Sequence, residues 1–259
     1  MSRIIPGRGP SCWTFYNTRA DDGVSYVDKP ARSLIVSWKQ LMRRLAKVMH
    51  DAGKVVYVNN HGKRLDLLEG VDGFFDEFTY ASAALNTTAL LGLHKPVMGW
   101  LSDAKQMTPD PHRFMQRFLY MGAYPMTPFP DNDHSVTPTP EIEGYYLAYA
   151  PLFQQLLGKK WVLDCGVHRV EGALANIFET DAGYVIPVVY GESDEARVSL
   201  QLDCVGDTAR IYHPGSNEGI SREIHSCGQG GRREIQAPLK DGCALILLNS
   251  VRGTEPVSP

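Results

Sequence analysis

The chain has no stretch long and apolar enough to cross a bilayer, which takes about 20 consecutive apolar residues, so no helical membrane span is expected. Its first residues lack the apolar core of a signal peptide, because Arg3, Pro6, Arg8 and Pro10 interrupt them; as given, the chain reads as cytoplasmic. It has no charge excess either. Lysine and arginine number 26 against 29 aspartates and glutamates, a net charge of -3, and like charges never run beyond a few residues. A nucleic acid or other polyanionic partner is therefore not expected. Cysteine is scarce and scattered, at Cys12, Cys165, Cys204, Cys227 and Cys243, with no CxxC pair. That spacing supports neither a zinc site nor a disulfide framework, and the five read as reduced thiols. No GxGxxG or P-loop follows a strand, so no nucleotide cofactor is implied. No GxSxG is present and no cysteine has a recognisable catalytic setting, which leaves a serine or cysteine nucleophile without support.

What is present is material for a core: 259 residues, 43% apolar and 21% charged. The first part alternates strand, polar loop and helix. Aromatic-rich residues 11–17 read as a strand, and apolar residues at helical spacing predict a helix over 33–51, closed by Gly53. Strands are expected at 54–59, 71–75, 96–100 and, weakened by Pro125 and Pro128, at 123–129. Helices are expected at 65–69, 81–93, 111–121 and 145–157, with a proline-rich loop at 130–143. Short apolar strands alternating with helices predict a parallel sheet buried on both faces. The expected fold class is α/β: a partial (β/α) TIM-type barrel over residues 1–160. After Gly158 the helical period disappears. β-branched and alternating runs separated by glycine turns predict a small antiparallel β-sandwich over residues 161–259, with His213 and His225 at its surface.

Residues 71–78, Val-Asp-Gly-Phe-Phe-Asp-Glu-Phe, organise the first part. The apolar run suits a buried strand, yet it ends in two carboxylates, and burying an unpaired carboxylate costs several kcal/mol. Two readings stay open. One is an active-site acid at the carboxyl end of a barrel strand, where such barrels carry their chemistry. The other is a plain helix N-cap.

Barrel geometry also sorts the remaining candidates, because residues just after each strand converge on one rim. The sorting collects Asn17, Asp21 and Asp22 after the first strand, Asn59, His61 and Arg64 after the second, Asp76 and Glu77 after the third, Trp100 after the fourth and Tyr124 after the fifth. Two acidic pairs, 21/22 and 76/77, then share a rim. Paired carboxyl groups across a cleft are what glycoside hydrolysis needs, one to protonate the leaving oxygen and one to attack or to activate water. Aromatics could stack on sugar rings, while Asn, His and Arg could bind hydroxyls. The Asp131–His134 run reads as a solvated loop rather than a calcium loop.

The series Tyr-Asn-Thr-Arg-Ala-Asp-Asp-Gly, Lys-Val-Val-Tyr-Val-Asn-Asn-His, Val-Asp-Gly-Phe-Phe-Asp-Glu-Phe and Lys-Pro-Val-Met-Gly-Trp resembles the later strands of (β/α)8-barrel glycoside hydrolases. The nearest group is the α-galactosidase-like and α-amylase-like enzymes that end in a β-sandwich. The resemblance implies a glycosidase acting on a carbohydrate, with no metal or organic cofactor. It puts Asp21 or Asp22 in the nucleophile's place and Asp76 or Glu77 in the proton donor's. It also implies sugar-binding roles for Asn17, Asn59, His61, Arg64, Trp100 and Tyr124. Asn17 closes the first strand where these enzymes often carry the acid itself. Five βα units stand where such barrels have eight, so the resemblance implies the carboxyl-terminal part of an enzyme, completed by a homodimer or another partner. The alternative is a non-catalytic carbohydrate-binding remnant.

Overall fold

The structure is a computed structural model that describes residues 3–6, 13–16, 31–32, 34–59, 68–76, 83–99, 107–127, 140–163, 167–202, 205–226 and 232–250. Two compact units emerge, Met1–Val58 with Gly62–Asp72, and Asn59–His61 with Gly73–Pro259.

In the first unit, β1 (Arg3–Pro6), β2 (Trp13–Tyr16) and β3 (Ala31–Arg32) form an antiparallel sheet in that order. Ile4 stands opposite Phe15, and Thr14 opposite Arg32. The first strand is thus not the parallel barrel strand that the sequence suggests. The reason is chain length: only residues 7–12 join β1 to β2, and a parallel crossover needs a dozen or more. Helix α1 (Leu34–Asp51) follows, with Met42 and Ala46 buried. It ends as its glycine predicts. Gly53 has φ 66°, its N–H reaches the His50 carbonyl at 2.9 Å, and the Lys54 N–H reaches Met49 at 2.8 Å. This is the Schellman pairing that satisfies the last free carbonyls. The next strand, β4 (Tyr57–Asn59), is shorter than expected. Asp72 Oδ2 accepts from the Val56 N–H at 2.7 Å and lies 2.9 Å from His50 Nε2, tying the chain after α1 to the end of that helix.

The second unit begins with β5 (Gly73–Asp76), α2 (Ala83–Leu91), β6 (Val97–Gly99), α3 (Pro111–Met121) and β7 (Tyr124–Pro125). Strands β5, β6 and β7 are parallel neighbours, with Phe74 opposite Val97 and Met98 opposite Tyr124. Among the described residues no closed barrel is formed; the fold class is mixed α/β. Helix α3 matches its periodicity residue for residue. Asp110 caps it by accepting from the Arg113 N–H at 2.9 Å, Pro111 opens it, and left-handed Gly122 ends it. Helix α4 (Pro140–Gln154) starts inside the stretch expected to be loop. Pro140 in the first turn is preorganised for a helix, and Glu141 and Glu143 suit the positive end of its dipole.

From residue 160 on, the described strands pair antiparallel. They are β8 (Lys160–Trp161), β9 (Val167–Glu171), β10 (Leu174–Ala175), β11 (Phe178–Thr180), β12 (Gly183–Val189), β13 (Glu195–Leu200), β14 (Val205–Tyr212), β15 (Ile220–Glu223), β16 (His225–Ser226), β17 (Arg233–Pro238) and β18 (Ala244–Ser250). One sheet has the order β15-β14-β18-β12-β11-β8, with β10 also on β12; the other is β16-β17-β13-β9. Alternate residues of both, among them Ile186, Val188, Val198, Ile211, Ile235 and Ile246, share one buried cluster. The turn from β17 to β18 passes through Asp241 and Gly242, both at positive φ, between the mutually hydrogen-bonded Lys240 and Cys243. Two left-handed residues give the turn a twist that matches its strands. His213 is a correction: it is 8% exposed rather than at the surface, because its Nε2–H donates to the Pro238 carbonyl at 2.7 Å. His225 is exposed.

Candidate functional site

The parallel strands bring three residues to one end. Asp76 closes β5 opposite Gly99, and Gly99 stands opposite Pro125. The Met126 N–H continues this ladder to the Gly99 carbonyl at 2.9 Å. Strand alternation places Phe74 and Asp76 on the same face, and both are buried, Asp76 to 2% exposure. That face meets α2. Leu85, Thr88 and Ala89 recur there at helical spacing and are fully buried, and Thr88 Oγ1 donates to Asp76 Oδ2. A carboxylate taken from water needs such donors. Thr88 is the residue that sequence reasoning missed; a threonine at an apolar position of a helix facing a strand that ends in Asp was the available signal.

Tyr124 is half-buried, with its ring 6.0 Å from that of Phe153 on α4. The same helix sends the Tyr146 hydroxyl to the Met126 carbonyl at 2.5 Å, and burial pushes that phenol's pKa up. Helix α4 thus braces the end of β7. Asn59 is half-buried at the end of β4. Asn17, Asp21, Asp22, His61, Arg64, Glu77 and Trp100 lie outside the described residues, as does the Asp131–His134 run. Among the described residues, no cluster of three or more His, Cys, Asp or Glu could hold a metal ion.

The second unit also holds a buried polar brace that the sequence reading did not single out. Gln116 on α3 is 3% exposed. Its Oε1 accepts from the Tyr190 N–H at 2.7 Å, and its Nε2 donates to the Asp241 carbonyl at 2.6 Å and to the Tyr149 hydroxyl at 3.3 Å. One amide thereby joins α3, α4 and two turns of the antiparallel sheets. Tyr149 also lies 3.0 Å from His112 Nδ1. His112 Nε2 in turn faces Asp241 Oδ1 at 3.9 Å.

Two grooves lie on the antiparallel part. One, of about 340 Å³, is lined by Glu195, Arg222, Glu223 and His225 among others; the other, of about 270 Å³, by Gln154, Leu157, Gly183 and Asn249 among others. Of the described rim residues, Asn59, Asp76 and Tyr124, none lines either groove.

No protein-family model matches the chain. No curated protein sequence matches it. Solved structures do. A family 30 endoxylanase from Clostridium papyrosolvens aligns at 11% identity and a TM-score of 0.44 over 82% of this chain and 60% of that one. An α-amylase from Anoxybacillus aligns at 11% and 0.48, over 83% and 56%. A family 30 subfamily 8 xylanase from Clostridium acetobutylicum aligns at 12% and 0.40, over 86% and 74%. The chain therefore spans little more than half the length of the first two. All three TM-scores lie below 0.5, and the functional reading rests on this chain's own residues.

Proposed function

We propose that this chain is glycoside-hydrolase-like and hydrolyses glycosidic bonds with a pair of carboxyl groups, one of them next in sequence to the end of the parallel strand β5. One observation carries the reading: a carboxyl residue, Asp76, closes the parallel strand β5 and is held from the helix side by Thr88. The residue that follows Asp76 in the sequence, Glu77, is a second acid. In this reading Asp76 is a positioning residue and Glu77 is the acid that protonates the leaving oxygen. Asp22, or Asp21 beside it, supplies the carboxylate that attacks the sugar or activates water. Asn17, Asn59, His61, Arg64, Trp100 and Tyr124 bind the substrate. No cofactor takes part.

A second reading has its own observation. The burial of Asp76 and its bond to Thr88 also suit a purely structural carboxylate, in a non-catalytic protein that only binds carbohydrate. Assay of the purified chain on a panel of aryl glycosides separates the two. The catalytic reading expects turnover that falls by about 10²-fold or more in Glu77→Gln and in Asp22→Asn. Asp76→Asn should instead lower the unfolding midpoint. Sugar binding seen by NMR without turnover supports the second reading, and neither binding nor turnover overturns both.

A further inference from the structure

Two helices carry bare stripes of complementary character. On α1, Leu41, Leu45 and Val48 recur at i, i+4 and i+7 and are 56%, 39% and 65% exposed. This stripe lies beside the buried Met42 and Ala46, about a quarter-turn round the helix. Arg44 borders it on the far side, one of the four lysines and arginines that α1 carries against a single aspartate. Arg43 is engaged with Glu69 at 2.9 Å, and Lys47 with Asp51 at 2.8 Å. On α4, Glu143, Leu147, Ala150 and Gln154 are all exposed and recur at i, i+4, i+7 and i+11, with Leu147 73% exposed. That helix has Glu141 and Glu143 and no lysine or arginine. Contiguous exposed apolar side chains rimmed by charge mark interaction surfaces.

We propose that the occupant of the α1 stripe is the α4 stripe of a second copy of this chain, with Leu147 packed among Leu41, Leu45 and Val48 and Glu143 beside Arg44. Charge selects this pairing. Two α1 stripes face to face would bring basic helices together, and two α4 stripes would bring acidic ones together; only α1 on α4 joins opposite signs. Each copy offers one α1 stripe and one α4 stripe, so such contacts close a two-fold dimer or a larger ring, or propagate in a row. The apolar area is small, so association is weak and depends on concentration and on salt. The inference does not depend on glycosidase activity, which its test does not read.

Sedimentation velocity from about 10 µM to about 500 µM, the range in which weak contacts form, provides the test. Average mass should rise with concentration in low salt and fall back at high salt. Both charged positions are exposed, so reversing them leaves the fold intact. Arg44→Glu alone and Glu143→Lys alone should each remain monomeric, because each sets like charges across the contact. An equimolar mixture of the two should associate again, since every junction between unlike molecules regains a pair of opposite charges. Leu45→Asp should abolish association in any mixture. A wild-type chain that stays monomeric over the whole range overturns the proposal. So does a rise in mass that neither charge reversal changes, which would place the contact elsewhere, as on the β1 edge of the first sheet.

Discussion

Replacing Lys159 by methionine should stabilise this protein at neutral pH. The lysine side chain is 1% exposed, and its Nζ donates to the Leu93 carbonyl at 3.3 Å and lies 5.6 Å from the centroid of the Phe178 ring. Among the described residues no carboxylate pairs with it. Burial lowers its pKa from 10.5 to about 8. At about 1.4 kcal/mol per pH unit, the charged ammonium costs the fold about 3 kcal/mol relative to the neutral amine. The unfolded chain keeps this proton up to its ordinary value, whereas the folded chain releases it near 8. Between those two pH values the unfolded state binds more protons, so this group's contribution to stability rises with pH across the window, and its cost is fully present below it. Methionine keeps an unbranched stem beside Gly122, where an added Cβ would stand 2.5 Å from Lys159 Cδ and Cε, and it removes the charge. Urea unfolding of both proteins should show Lys159→Met more stable by about 2 to 3 kcal/mol at pH 7, with the gap closing toward pH 10.5. Comparing the two proteins at each pH cancels the other groups that titrate there. A variant less stable at pH 7, or a gap that does not change with pH, would refute the reasoning.

Gln116→Leu should cost about 2 to 4 kcal/mol in urea unfolding, because the Tyr190 N–H and the Asp241 carbonyl lose their partner inside the protein; a loss below about 0.5 kcal/mol would show that the amide is not the brace described. Cys243 is fully buried and burial pushes its thiol pKa up. In mass-spectrometric mapping it should take up a thiol reagent only at denaturant concentrations that unfold the chain. Labelling at the rate of a free thiol in native buffer would count against its place in the core.

Parts of this fold are legible residue by residue. The apolar spacing of 111–121, with Asp110 before it and Gly122 after it, predicts α3 because every determinant lies within a turn of the helix itself. The same holds for α1 and its Gly53 end. The alternating or β-branched runs that became β12, β18 and the later half of β14 likewise announce themselves, whereas the two-residue β8, β10 and β16 carry too little pattern to read. The candidate site was legible only as a strand tip with two acids. Thr88 stands twelve residues after Asp76, and nothing local says that the helix carrying it lies against that strand.

The sequence by itself determined where α1 and α3 run, how they end and which late segments are strands, since periodicity, caps and turn residues act over a few positions and need no distant partner. Tertiary structure alone decided which face Asp76 shows, why His213 is buried and how one amide at Gln116 comes to serve four segments. It also decided that Trp13–Tyr16 pairs antiparallel with Arg3–Pro6. Each of these depends on contacts between residues far apart in the chain, or on a connection too short to cross over. Their free energy is realised only when the whole unit folds, so no window of sequence contains it.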